Sequence, residues 1–200
     1  MKYKLILFIL ILLSLYSCEE NENVLLKNYL VIGNTDAKIS VLDTLITPPD
    51  RCDSIIYEID LDKDKVIDYS FYVYYCYSPS YFSSIFKFNC LHEKAKVLIN
   101  DSIFSPEILE VGDTLKNDKN WLSMNMTILT ASGASEIVGG DGIIYKNGNW
   151  FDVTNKYIGL IINKKENPIY GWIKISVPNE NWVYSLTIHE TGYIKATYNE

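Results

Sequence analysis

Past residue 27 the chain alternates. Short stretches with an apolar residue at every second position recur, separated by clusters of Gly, Pro, Asn and Asp. Side chains of a strand point to opposite faces in turn, so this period of two predicts strands with one buried face. Expected strands cover 28–33, 37–46, 54–61, 66–77, 84–91, 95–100, 121–130, 142–146, 157–163, 170–177, 182–189 and 192–198, with longer loops at 101–120 and 131–142. No stretch after the N-terminus carries a helical period. Short strands divided by turn residues predict an all-β domain over 27–200, an antiparallel β-sandwich. Jelly-roll-like and immunoglobulin-like orders both remain open.

The alternation also predicts pairing. If 54–61 and 66–77 form a hairpin centred near Asp64, Tyr57 faces Phe71 and Ile55 faces Val73, and the two apolar faces coincide. The same register sets Cys52 opposite Cys76. For the later pair 157–163 and 170–177, joining Ile162 to Gly171 brings Ile158, Leu160 and Ile162 onto the face of Ile173, Ile175 and Val177. Trp172 then points to the other side, with Gly159 leaving room for its indole.

The N-terminus follows a different rule. Met1-Lys2-Tyr3-Lys4 is basic, and 5–15 is almost wholly Leu, Ile and Phe. That run of about 11 residues is short of the roughly 20 that a spanning helix needs. A basic start, a short apolar run and a small residue before the cut describe a secretory signal over 1–17. The sequence Leu15-Tyr16-Ser17-Cys18 resembles the lipobox of bacterial lipoproteins, which implies cleavage before Cys18 and lipid on its sulfur. Several acyl chains would hold the protein to a membrane. The acidic tether 18–26, with Glu19, Glu20 and Glu22, resembles the surface-export tag of Bacteroidetes lipoproteins. That resemblance implies the outer face of the cell outer membrane, with the periplasmic face as second choice.

Composition narrows the partners. Aromatics make up 14%, including 16 Tyr, which suits pleated, half-buried surfaces. Loss of residues 1–17 removes two lysines and no acids, taking the formal net charge from −7 to −9. Nucleic acid is excluded as a partner, because its phosphates demand basic patches. With Cys18 lipidated, Cys52, Cys76 and Cys90 remain. The hairpin register suggests a Cys52–Cys76 disulfide in an oxidising compartment; three free thiols are the alternative. Cys90 shares its face with Phe86 and Phe88 and is expected to be a buried thiol.

The densest chemistry lies in Asp60-Leu61-Asp62-Lys63-Asp64-Lys65-Val66-Ile67-Asp68. Carboxylates stand at positions one, three, five and nine, and Val66 can offer a backbone oxygen at seven. So many like charges repel unless a cation joins them, and Ca²⁺ takes six to eight such oxygens. The pattern resembles the calcium loops of EF-hands, dockerins and integrin-type β-propellers, which implies ligands at Asp60, Asp62, Asp64, Val66 and Asp68. It departs from them at Lys65, where a glycine normally turns the chain, and at Phe71, where an EF-hand has Glu. A solvated acidic turn without an ion is the alternative.

The segments Tyr157-Ile158-Gly159-Leu160 and Tyr170-Gly171-Trp172-Ile173-Lys174-Ile175-Ser176-Val177, preceded by the acidic loop, resemble a β-rich domain of exported bacterial proteins without an assigned activity. Tyr157, Tyr170 and Trp172 share one side. Either they pack beneath a loop or second sheet, or they form an exposed platform for a sugar ring or a protein. No phosphate-binding loop, nucleophile elbow or zinc-spaced histidine pair is present, and no catalytic residue stands out. The expectation is a non-catalytic, calcium-stabilised surface lipoprotein that binds a glycan or envelope protein. A structural subunit of an envelope complex and a carbohydrate-active hydrolase are the alternatives.

Overall fold

The structure, a computed structural model, describes residues 29–78, 81–125, 127–135, 143–164, 167–178 and 185–196. The signal segment, Cys18, the tether and Trp182 lie outside them. The described residues form fourteen strands and no helix: β1 (Tyr29–Val31), β2 (Lys38–Ile46), β3 (Asp53–Ile59), β4 (Tyr69–Ser78), β5 (Tyr81–Cys90), β6 (Ala95–Asn100), β7 (Ser105–Pro106), β8 (Thr114–Lys116), β9 (Trp121–Leu122), β10 (Thr127–Ser135), β11 (Ile143–Asn147), β12 (Val153–Ile162), β13 (Ile169–Val177) and β14 (Leu186–Lys195).

Two antiparallel sheets pack face to face as a sandwich. One has the order β11-β10-β5-β4-β3; the other runs β2-β14-β13-β12-β6-β7, with β9 also on β6. The inward faces meet in one core that joins Phe71, Val73, Phe86, Phe88 and Leu129 to Ile158, Leu160, Ile173, Ile175 and Ile188. Its driving force is apolar burial, about 25 cal/mol per Å² removed from water. Within it the Tyr69 hydroxyl of β4 donates to the Ile161 carbonyl of β12 at 3.0 Å, tying the sheets together.

The β3–β4 pairing follows the expected register, with Tyr57 opposite Phe71 and Ile55 opposite Val73. The β12–β13 pairing does not. Ile162 faces Ile169 rather than Gly171, and Gly159 faces Trp172. The difference is two residues, so every side chain keeps its expected face. Alternation has period two and selects only odd against even registers.

Strand boundaries differ where punctuation misled. The expected strand 121–130 is two strands, β9 and β10. The expected strands 182–189 and 192–198 correspond, within the described residues, to one strand, β14, which runs through Gly192. The reason is packing: a Cβ on Gly192 would lie 2.3 Å from the Trp172 ring. Gly192, not Gly159, makes room for the indole; Gly159 lies beneath Leu115 and Leu109. The expected loop 101–120 holds β7 and β8, and β10 runs on into the expected loop 131–142.

The β1–β8 ribbon is a third layer. Leu30 and Leu115 from it join Leu98, Leu109, Tyr157, Ile161, Tyr170 and Trp172 in a second apolar cluster on the outer face of the larger sheet. The aromatic platform is thus corrected. Tyr157, Tyr170 and Trp172 are buried, the last with 0% exposure. Side chains aimed away from a sandwich core gain the same burial when a ribbon covers them.

Candidate metal centre

The acidic loop joins β3 to β4 at one end of the sandwich. Leu61 anchors it. This side chain is fully buried and presses on the backbone at Gly171 of β13, where a Cβ would lie 2.8 Å from it. With Leu61 turned inward, its acidic neighbours are held around it. Asp60 accepts backbone N–H bonds from Asp64 at 3.2 Å and Lys65 at 2.8 Å. Asp64 accepts the Val66 N–H at 2.9 Å, and Asp68 accepts the Leu61 N–H at 2.8 Å. The chain turns through left-handed backbone at Lys63 (φ 61°) and Lys65 (φ 74°). Lys65 stands where the calcium loop of an EF-hand uses glycine for its sharp turn. A side chain there costs roughly 1–2 kcal/mol, which the loop's own hydrogen bonds must offset.

Two turns distant in sequence close on this loop. Lys164, between β12 and β13, donates to Asp62 Oδ2 and Asp64 Oδ2, each at 2.7 Å. His92, between β5 and β6, lies 2.9 Å from Asp68 Oδ1 through Nε2. The charges are tuned accordingly. The bond from Lys164 pulls the Asp64 carboxyl below its ordinary value. Burial pushes Asp68 upward, against the pull of the Leu61 N–H and His92. Asp62 and Asp64 hold Lys164 protonated well above the usual lysine range. A cleft of about 320 Å³ opens here, lined among others by Val66, Asp68, His92, Lys94 and Lys164.

Asp60, Asp62 and Asp68 could hold a metal ion, because each offers one carboxylate oxygen within 4.8 Å of the others. Oxygens around a cation at 2.3–2.6 Å lie up to about 5 Å apart, so the spacing fits. The donor set has one independent sign of an absent partner. Asp62 is 4% exposed, yet its Oδ1 is buried with no hydrogen bond. An unsatisfied buried acceptor costs about 1–3 kcal/mol, more when charged. Asp64 is not among the three; it faces Lys164 and its own loop instead. Val66 stands at the exposed rim of the cleft.

At the opposite end of the same hairpin, a disulfide joins Cys52 to Cys76. Cys90 is a free, buried thiol whose pKa burial raises to about 11. Sequence reasoning missed Lys164 and His92 as partners of the loop. Both come from turns that only the sandwich brings together, and neither has a local pattern. No family model, no curated protein and no solved structure matches the chain.

Proposed function

We propose that the protein is a calcium-stabilised cell-envelope lipoprotein, anchored through lipid on Cys18, whose β-sandwich binds a glycan or envelope protein at the cell surface. The observation that carries the calcium site is the buried, unpartnered Oδ1 of Asp62 beside Asp60 and Asp68. Hard carboxylate oxygens and a turn-built loop suit Ca²⁺, which accepts irregular shells, better than Mg²⁺, which demands a strict octahedron. The three carboxylates belong to the one loop between β3 and β4, and Lys164 and His92 bring two further turns against it, so a cation there would brace the loop on which those turns rest. The anchor is supported by the Leu15-Tyr16-Ser17-Cys18 sequence; Cys18→Ser should release the protein from membranes.

The deciding test is a thermal melt of the full chain in detergent, after chelation and then with millimolar Ca²⁺ or Mg²⁺. An ion that binds only the folded state at 100 times Kd adds about 2.7 kcal/mol. For a domain of this size, that corresponds to roughly 5–11 °C in Tm. A rise selective for Ca²⁺ and lost in Asp62→Ala is the expected result. No rise would reduce the loop to an acidic turn neutralised by Lys164.

A further inference from the structure

The larger sheet loses register at one level across four strands. Pairing of β12 with β13 shifts between Val153 and Lys156, that of β13 with β14 between Lys174 and Ile175, and that of β14 with β2 between Ile188 and Glu190. Asn155, His189 and Asp43 fall in these gaps, with Ser176 between them. Asp43 and Asn155 hold left-handed backbone, at φ 40° and 54°. Bulges and strained residues of this kind concentrate beside functional sites.

The irregularities draw the four residues into one line. Ser176 Oγ accepts the Asn155 N–H at 2.9 Å and lies 2.8 Å from His189 Nε2. His189 Nδ1 lies 3.4 Å from Asp43 Oδ1. A carboxylate only accepts, so Nδ1 carries the proton. The Nε2 of a neutral imidazole is then an acceptor, and the Ser176 hydroxyl donates to it.

We infer that Ser176 is a base-activated nucleophile, with His189 as its general base and Asp43 positioning His189, and that it takes acyl groups from activated esters. Satisfying the Asn155 N–H needs only the serine hydroxyl. The imidazole and carboxylate behind it add nothing to that bond, but they are what a serine nucleophile requires. Ser176 and His189 are both partly exposed, which places the pair at the solvent-facing side of the sheet. As Oγ attacks, its proton passes to Nε2 and the Oγ–acyl bond forms. The ester C–O bond then breaks, and the departing alkoxide takes the proton from Nε2. Water, deprotonated by the same nitrogen, later releases the acid and restores the hydroxyl. The Asn155 N–H points at Oγ itself rather than at the developing oxyanion. An oxyanion donor is worth about 10²–10³ in rate, so the substrate class is esters with good leaving groups, not amides.

The relay shares no residue with the acidic loop, so its test is independent of the cation. The full chain in detergent is treated with p-nitrophenyl acetate, p-nitrophenol release is followed, and the protein is peptide-mapped by mass spectrometry. The expected result is a burst of p-nitrophenol, with acetylation at Ser176 in protein quenched with acid during the reaction. His189→Gln should slow it about 100-fold or more, the usual scale of general-base catalysis. Asp43→Asn should slow it less, with its Tm unchanged. Acetylation confined to lysines, or equal labelling of Ser176 in His189→Gln, would overturn the inference. Both readings use variants that keep Ser176 and its bond to Asn155, so neither depends on Ser176→Ala folding.

Discussion

Gly171 and Trp172 are neighbours in the chain and belong to different halves of the molecule. Gly171 faces inward and receives Leu61, the anchor of the acidic loop. Trp172 faces outward, lies across Gly192 and is covered with the β1–β8 ribbon's cluster. On the inner side a dense carboxylate cluster is held by hydrogen bonds, one lysine and one histidine. On the outer side aromatic rings are held by apolar contact. The acidic loop declared its chemistry in nine consecutive residues. The aromatic trio declared only its direction, because exposure is a property of what lies above it.

Trp172→Ala tests that contrast most strongly. Removing a buried indole costs about 3–5 kcal/mol, or roughly 6–20 °C in Tm for a domain of this size. An exposed platform would instead change stability by about 0.5 kcal/mol or less. A denaturation curve separates the two, and a near-zero change would put the ribbon's cover in doubt.

The second test compares the two ends of the β3–β4 hairpin. Reducing the Cys52–Cys76 disulfide should cost about 2–4 kcal/mol, measured by melts with and without reductant. The loss should appear equally with and without Ca²⁺, since the disulfide and the acidic loop close opposite ends. A disulfide effect that vanished in Ca²⁺ would mean that the two staples act on one weak region.

The smallest effect concerns Lys164. Lys164→Met removes the donor to Asp62 Oδ2, whose side chain is fully buried. Leaving that acceptor unsatisfied should cost about 1–3 kcal/mol without calcium. Millimolar Ca²⁺ should recover most of it, because a cation among the carboxylates supplies the missing positive charge. A loss that Ca²⁺ leaves untouched would make Lys164 a structural clamp separate from the cation site.

The sandwich itself was legible, and so were the faces. Tyr57, Phe71, Ile55 and Val73 paired as expected, because the charged cluster around Asp64 marked where the hairpin turns. The β12–β13 pair had no such marker. Its alternation set the parity, and the register came out two residues away, at Ile162 against Ile169. Cys90 was recognisable as buried from Phe86 and Phe88 on its own strand. Gly192 misled because a glycine in a strand looks like a turn until the ring that needs its space is known. His92 and Lys164 could not be found, since nothing near either residue points toward Asp68 or Asp62.

By itself the sequence determined the all-β class, the apolar faces of the longer strands, the β3–β4 hairpin and the crowded carboxylates. Those follow from the pleat and from like-charge repulsion, which act over a few ångströms along the chain. Tertiary structure alone decided which face received a third layer, which lysine answers Asp62, and how Ser176, His189 and Asp43 came into line. These are meetings between residues up to 146 positions apart. Burial and hydrogen bonding depend on distance in space, and a one-dimensional pattern holds no record of it.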